Sequence, residues 1–251
     1  MPSTAPRYSV TIQIDEKLRK LKRETHDLCC AWGFRRDGSA ETTYNIVGWA
    51  SNNITSKESI DWTERYWVSA SKEGCDPGFM VNVAIDPQDI RLGETFIFKN
   101  FEKTTIDTSS PPDDTQDHHH NNLPHHHHSI AFEARTPCSV VLYQGLDLGA
   151  PDENYTPVYI ASAGHEPLTA PPPVAGTIAP ARTLLFFFAR KEDAAIRRKA
   201  FDAALLANAP IVYDYGARAS RFTEVSLVYG VDGPQLGPVV RTRSSESFAV
   251  V

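Results

Sequence analysis

The sequence predicts an all-β protein of two six-stranded, antiparallel, sandwich-like halves, with one short helix inserted in the second half. Three observations lead to this fold class. Short segments of alternating apolar residues recur at near-regular spacing, turn residues separate them, and their order repeats on the two sides of a His-rich stretch. The predicted domains are a first β module at 1–108, a linker at 109–128 and a second β module at 129–251, which together suggest an internal duplication.

The first half begins with a clear alternating strand. Tyr8, Val10, Ile12 and Ile14 are separated by polar residues, which is the pattern of a half-buried strand. Turn residues such as Asp37-Gly38 separate the later segments. The six expected strands are 8–14, 28–34, 44–49, 62–68, 79–85 and 93–98.

The second half repeats this order with one insertion. Its expected strands are 129–134, 138–143, 156–160, 184–188, 222–229 and a last one formed by 239–240 and 248–250. The insertion, 191–208, is rich in alanine and ends before Pro210, so it is the predicted helix.

Charge and cysteine content narrow the function classes. A formal net charge of -6 argues against a broad surface for nucleic acid or anionic membrane, and the basic cluster at 17–23 is interpreted as a solvated face. No secretory signal and no membrane-length apolar run is evident, so a cytoplasmic location is expected. The four cysteines show neither disulfide-framework nor zinc-finger spacing, which predicts buried thiols.

The stretch 109–128 holds seven of the nine histidines. They are His118, His119, His120, His125, His126, His127 and His128. Neutral imidazole binds zinc, nickel or copper, so these residues are the candidate metal ligands, and no other cofactor is expected. We favour a flexible linker with adventitious metal affinity. Consecutive histidines among Pro, Asn and Asp lack the neighbouring hydrogen-bonding groups that hold metal ligands in fixed orientations.

Motifs of catalysis are missing from the sequence. There is no Gly-x-Ser-x-Gly elbow, no phosphate loop and no Gly-x-Gly-x-x-Gly after a strand. His165-Glu166 lacks the second histidine of the zinc-protease pattern, since Thr169 stands in its place. Whether the protein is an enzyme therefore stays open.

Aromatic residues provide the candidate ligand site. Flat aromatic faces can stack on sugars or apolar rings, and polar residues beside them can fix a ligand. Tyr66 and Trp67 are neighbours on one strand, so they should face opposite sides, and Phe186 to Phe188 require something to cover the outer face of their sheet. The candidate ligand-binding residues are Trp62, Arg65, Tyr66, Trp67, Tyr213, Asp214 and Tyr215.

Several segments carry a resemblance to known sequences. They are Leu28-Cys29, Tyr44-Asn45-Ile46-Val47, the stretch 61–66, Thr156-Pro157-Val158-Tyr159 and the stretch 184–188. In these segments the chain resembles uncharacterised β-rich proteins of basidiomycete fungi. The resemblance implies a fungal source and transfers no activity and no catalytic position.

Three functions are compatible with these features. The leading hypothesis is a non-enzymatic, lectin-like binding protein for a carbohydrate or an apolar small molecule, with its site near the interface of the two modules. The alternatives are a cofactor-independent isomerase or cyclase with a pocket between the halves, and a metal-binding protein that uses the His-rich stretch. No nucleic-acid partner is expected, and homo-oligomerisation stays open.

Overall fold

The computed structural model describes most of the chain outside the His-rich stretch. The described residues are 6–51, 53–73, 78, 80–108, 129–146, 155–163, 174–191, 199–201, 211–216, 222–230 and 233–236. The predicted strand at 239–250 and the candidate metal ligands His118 to His128 lie outside them.

The described part is mostly β, with one short helix, as the sequence predicts. The elements in chain order are β1 (Arg7–Ile14), α1 (Glu16–Lys22), β2 (His26–Arg36), β3 (Trp49–Ser51), β4 (Lys57–Ser71), β5 (Gln88–Ile90), β6 (Thr95–Asn100), β7 (Lys103–Asp107), β8 (Ile130–Ala134), β9 (Cys138–Leu146), β10 (Tyr155–Ala163), β11 (Val174–Arg190), β12 (Ile211–Asp214), β13 (Phe222–Gly230) and β14 (Gly233–Leu236).

These strands form two curled mixed sheets. The first sheet has the order β10-β9-β4-β1-β13-β14, with β5 attached to β4. The second sheet has the order β3-β2-β11-β8-β6-β7, with β12 attached to β11. Most neighbours are antiparallel, whereas β1 pairs with β13, and β6 with β8, in parallel.

This topology corrects the prediction of two antiparallel halves, each with a sandwich of its own. Each sheet combines strands from both sides of the His-rich stretch: β4 pairs with β9 in the first sheet, and β2 with β11 in the second. Alternating apolar residues determine which face of a strand is buried, but they do not determine which strand lies beside it. The repeated order of strands therefore does not lead to separate sheets for the two halves.

The main core lies between the inner faces of the two sheets. Trp62 of the first sheet meets Trp32 of the second edge to face, with ring centroids 6.0 Å apart, and Tyr159 meets Phe34 at 5.1 Å. Tyr66 belongs to this core, whereas Trp67 packs in a separate cluster on the outer face of the first sheet. The prediction that these two neighbours face opposite sides is confirmed.

The outer face of the second sheet is also covered, as the three consecutive phenylalanines predict. Phe187 stacks on Phe201, with ring centroids 5.0 Å apart, while Phe186 and Phe188 belong to the main core. Backbone bonds hold the covering segment in place: Val47 N donates to the Lys199 carbonyl, and Phe201 N donates to the Asn45 carbonyl. The cover therefore comes from chain segments that pair with each other.

That arrangement corrects the predicted helix at 191–208. Lys199 and Ala200 form β-bridges to Met80 and Ile46, so this part of the range is extended, and most of the remainder lies outside the described residues. The helix within the described residues is α1, in the basic segment. Asp15 caps it, since its carboxylate accepts hydrogen bonds from the backbone N–H groups of Lys17 and Leu18 at 2.9 and 3.2 Å.

Two further strand predictions need correction. Residues 79–85 form no strand within the described residues, where Met80 makes only an isolated bridge. Of the expected strand at 44–49, only Trp49 belongs to a strand, the short β3, and Ile46 makes an isolated bridge to Ala200. Both segments instead contribute apolar side chains that cover the outer faces of the sheets.

Three of the four cysteines are free and buried, which confirms the prediction for Cys29, Cys30 and Cys138. Burial raises the pKa of the Cys29 and Cys138 thiols to about 12 and that of Cys30 well above its usual range. Thiolates are the reactive form, so these side chains should be inert in the folded protein.

We expect a maleimide at pH 8 to modify at most one of the four thiols in the native protein, namely Cys75, which lies outside the described residues. In denaturant all four should react. Mass spectrometry of the adducts measures both numbers, and rapid modification of Cys30 in the native protein would contradict its burial.

Candidate functional site

A wide bulge in β11 forms one side of the candidate site. In the pairing with β2, Pro180 lies opposite Phe34 and Leu184 lies opposite Trp32, so three residues of β11 face Gly33 alone. Bulges of this kind re-aim side chains and recur beside functional sites. This one places Ala181, Arg182 and Thr183 out of regular register.

Glycine is required opposite this bulge. A Cβ atom at Gly33 would lie 2.2 Å from Thr183 Oγ1 and 2.7 Å from Thr42 Cγ2, distances that real contacts do not reach. The hydroxyl of Tyr44 donates a hydrogen bond to Thr183 Oγ1 at 2.8 Å. The bulge is thus packed against its neighbours rather than loosely looped out.

Arg182 has an unusual backbone conformation at the centre of the bulge. Its φ of 55° lies in the left-handed region, which costs a residue with a side chain about 1–2 kcal/mol. Its carbonyl accepts hydrogen bonds from the N–H groups of Tyr215 and Gly216, at 3.1 and 3.2 Å. The surrounding backbone therefore holds a strained residue, a feature that clusters at ligand and active sites.

A second bulge lies in the facing sheet, in β4. Thr63 pairs with Gly145 and Tyr66 pairs with Gln144, so Glu64 and Arg65 are the extra residues. Arg65 is bound by Asp89, with Nε–Oδ1 and Nη2–Oδ2 distances of 3.1 and 3.3 Å. Its guanidinium also lies over the ring of Trp67, at 4.9 Å.

The two bulges meet in an ion pair between the sheets. Arg182 Nε lies 3.3 Å from Glu64 Oε1, with the Glu64 side chain only 9% exposed and the Arg182 side chain 45% exposed. Solvent screens a pair with one partner this exposed, so its contribution to stability is small. Its main effect is to fix two opposite charges at one place between the sheets.

A pocket of about 340 Å³ opens beside this ion pair. Its lining residues are Arg35, Glu64, Leu92, Pro180, Ala181, Arg182, Asp214 and Gly216. Two guanidinium groups and two carboxylates therefore surround one cavity, which can donate and accept several hydrogen bonds at once. The volume lies at the lower end of the roughly 300–1,000 Å³ typical of small-molecule sites.

Buried aromatic rings lie close to this site. Trp62 packs against Tyr8 and Tyr215, with ring centroids 5.6 and 5.2 Å away. Burial raises the pKa of Tyr66 and of Tyr215, and the negative charge of Glu64 raises both further. These phenols therefore stay protonated at neutral pH.

The structure separates the candidate ligand residues into three groups. Trp62, Tyr66, Tyr213 and Tyr215 are buried in the core, and Arg65 and Trp67 pack together on the outer side of the first sheet. Asp214 alone of the seven lines the pocket. The expectation that aromatic faces line the site is therefore not met in this pocket.

Arg35 and Arg182 are charged pocket residues that sequence patterns did not suggest. Arg35 stands at the end of an alternating strand, and Arg182 follows a proline-rich segment with no periodic signal. Glu64, by contrast, lies between the aromatic residues Trp62 and Tyr66 in the sequence, where it is a plausible polar contact for a ligand. Only the pairing of β2 with β11 brings the two arginines to the same cavity.

The left-handed backbone of Arg182 leads to a prediction about substitutions. Glycine accepts a φ of 55° without penalty and alanine does not, so Arg182→Gly should have a higher free energy of unfolding than Arg182→Ala, by about 1 kcal/mol. Arg65 provides the matched control, because it also lies in a bulge but has no positive φ.

At Arg65 the order should reverse, with the alanine variant the more stable. Urea unfolding of the four variants gives the comparison. Equal stabilities for Arg182→Gly and Arg182→Ala would show that the backbone at this position is not held in the left-handed region.

Metal and membrane features can be assessed only for the described part of the chain. There, no group of three or more His, Cys, Asp or Glu side chains is placed to hold a metal ion. No helix within the described ranges is both long and apolar enough to cross a membrane. The His-rich stretch lies outside these ranges, so its metal binding stays a prediction.

Comparison with protein-family models, curated proteins and solved structures gives no match. The resemblance to fungal β-rich proteins therefore stays a prediction, and the function has to be argued from the pocket itself.

Proposed function

We propose that the protein is a non-enzymatic binding protein that takes a small carbohydrate in the pocket between the two bulges. The observation that carries this proposal is the Glu64–Arg182 ion pair, which joins one bulge from each sheet at the pocket. A residue with left-handed backbone lowers the stability of the fold, and such residues cluster at ligand and active sites. Here the bulges and the left-handed residue Arg182 line a cavity.

The lining favours a polar ligand over an apolar one. Sugar hydroxyls both donate and accept hydrogen bonds, and the pocket offers guanidinium donors from Arg35 and Arg182 and carboxylate acceptors from Glu64 and Asp214. An apolar molecule would displace water from these charged side chains and offer them no hydrogen bond in exchange, which has a free-energy cost.

A second depression is a weaker candidate. Its volume is about 530 Å³, and its charged lining residues are Asp86 and Glu102, both acidic. It has no pair of opposite charges and no strained residue among its lining. The charged pocket between the sheets is therefore the better basis for a function.

The enzyme alternative has less support. An isomerase or cyclase needs a proton donor or acceptor with a pKa near neutrality. Tyr66 and Tyr215 lie beside Glu64, but burial raises the pKa of both phenols and so moves them away from that range. The proposals of a cytoplasmic location and of metal binding at the His-rich stretch rest on the sequence alone.

Isothermal titration calorimetry with a panel of neutral and acidic mono- and disaccharides tests the proposal. We expect at least one of them to bind with a Kd of millimolar or tighter, and Arg182→Gln to weaken that binding at least ten-fold. Arg65→Gln is the matched control, since Arg65 is a neighbouring arginine that pairs with Asp89 away from the pocket.

Circular dichroism must show that both variants remain folded. Absence of binding by every saccharide, or an equal loss in the two variants, would contradict the proposed site.

A further inference from the structure

We propose that the ligand of this pocket carries a single carboxylate, as an acidic sugar does, and that Arg35 and Arg182 hold it together. This inference rests on the proposed carbohydrate-binding function and specifies the class of sugar. Two observations support it: some guanidinium nitrogens of the two arginines have no partner within the described residues, and two carboxylates line the same cavity.

Arg182 has donor groups to spare. A guanidinium carries five N–H donors in a planar fork, and the ion pair with Glu64 runs through Nε. The side chain is 45% exposed and lines the pocket, so its terminal nitrogens are available there. Glu64 thus fixes the orientation of Arg182. The two terminal nitrogens remain, and together they can donate hydrogen bonds to both oxygens of a planar carboxylate.

Arg35 adds a second guanidinium. It lies near the end of β2, is exposed and lines the same cavity. Among the described residues it forms no ion pair and no side-chain hydrogen bond. Arg35 therefore adds a positive charge beside Arg182, whose orientation Glu64 fixes, and an anionic group can bind both. The planar guanidinium of arginine binds carboxylates more specifically than the ammonium of lysine does.

The carboxylates of the pocket limit the charge of the ligand. Glu64 is largely buried and pairs with Arg182, and Asp214 is an exposed acidic residue of the pocket wall. A phosphate dianion would bring a second negative charge next to Asp214, which disfavours it. A monocarboxylate gains from both arginines and can place its hydroxyl groups against Asp214 and Glu64, which accept hydrogen bonds.

The test uses hexoses that differ only in one substituent. The probes are D-glucose, D-glucuronate and D-glucose phosphorylated on the terminal hydroxyl, together with the corresponding galactose series, titrated calorimetrically into the full-length protein at low and high salt. At least one uronate should bind ten-fold or more tightly than its neutral hexose, and that preference should shrink as salt screens the charges.

Substitutions separate the arginines from general effects. Arg35→Gln should remove the preference for the uronate over its neutral hexose, because glutamine keeps a hydrogen-bond donor at this place and loses the positive charge. Arg65→Gln, on the other side of the first sheet, should leave both unchanged.

The remaining outcomes distinguish failure of the carboxylate inference from failure of the proposed carbohydrate binding. Equal binding of uronate and neutral hexose overturns the carboxylate inference and leaves the carbohydrate site in place. Tighter binding of the hexose phosphate overturns the assignment of a monocarboxylate. Absence of binding by all of these probes and by the wider saccharide panel overturns the proposed function, and the carboxylate inference with it.

Discussion

Residues 1–108, produced without the rest of the chain, should not fold into a stable β module. In the structure, β1 pairs with β13, β4 with β9, β2 with β11 and β6 with β8, so the fragment loses strand partners from both sheets. Its apolar inner faces would be exposed, and unpaired strand edges promote aggregation. We expect aggregation or an absence of cooperative unfolding in a urea titration followed by circular dichroism.

Co-expression with 129–251 is the control for this prediction. The two fragments together hold every strand of both sheets, so they should copurify as a complex that unfolds cooperatively. A soluble 1–108 fragment that unfolds cooperatively by itself would show that the strands of the first half suffice for a core of their own.

Trp62→Ala should be among the most destabilising single substitutions in the described part of the chain. Trp62 is 1% exposed and packs against Trp32, Tyr8 and Tyr215 between the sheets. Removal of a buried Trp side chain leaves a large cavity and typically costs about 3–5 kcal/mol. Urea unfolding of the variant measures the loss.

Trp67→Ala is the matched control, since Trp67 lies on the same strand but is only half-buried in the outer cluster. We expect a loss of about 1–2 kcal/mol there, in proportion to its smaller buried area. If the two variants lose equal stability, or if Trp62→Ala removes saccharide binding from a protein that remains fully stable, Trp62 belongs to the ligand site and not to the core.

Alternation in the sequence was sufficient to find most of the long strands. β1, β8 and β13 bury every second residue in the main core, whereas β2 is buried on both faces and also carries small apolar residues at the positions between. The same signal failed in the predicted strand 79–85, where Val81 and Val83 cover an outer face but belong to no strand. Alternating apolar residues show that one side of a segment is buried. An irregular segment that packs on the outer face of a sheet can have this pattern as well as a strand.

The helix prediction failed for a different reason. Alanine content favoured 191–208, but Ala200 is placed by its bridge to Ile46, and Phe201 by stacking on Phe187. Tertiary contacts override a weak local preference. The signal for α1 was present in the sequence, since Asp15 and Glu16 precede the basic residues Arg19, Lys20 and Lys22, the order that suits capping and the helix dipole.

The candidate site could be anticipated only in part. Glu64 and Asp214 were identifiable as polar residues beside strand aromatics, whereas Arg182 reaches the pocket through a bulge whose position depends on Gly33 of another strand. A contact between two bulges in different sheets has no local sequence pattern. It depends on which strands become neighbours. The repeated strand order wrongly predicted that the neighbours of each strand come from its own half of the chain.

The central structural claim is that the first strand of the chain lies in parallel beside β13, in a sheet shared by both halves. Thr11 lies opposite Glu224 in this pairing. Cα atoms of directly opposed strand residues are close enough for a disulfide. Oxidation of the Thr11→Cys/Glu224→Cys variant, in a Cys75→Ser background, should therefore give a cross-link within the chain, visible as a reductant-sensitive change in mobility on denaturing gels.

The Thr11→Cys/Val228→Cys variant places the second thiol four residues further along β13, about 13 Å away at the usual strand rise, and should not cross-link. Cross-linking of the first variant alone is the result that the shared sheet predicts. Failure of the first variant to cross-link, or equal cross-linking of both, would contradict the pairing of β1 with β13 and with it the fold in which the two halves form one pair of sheets.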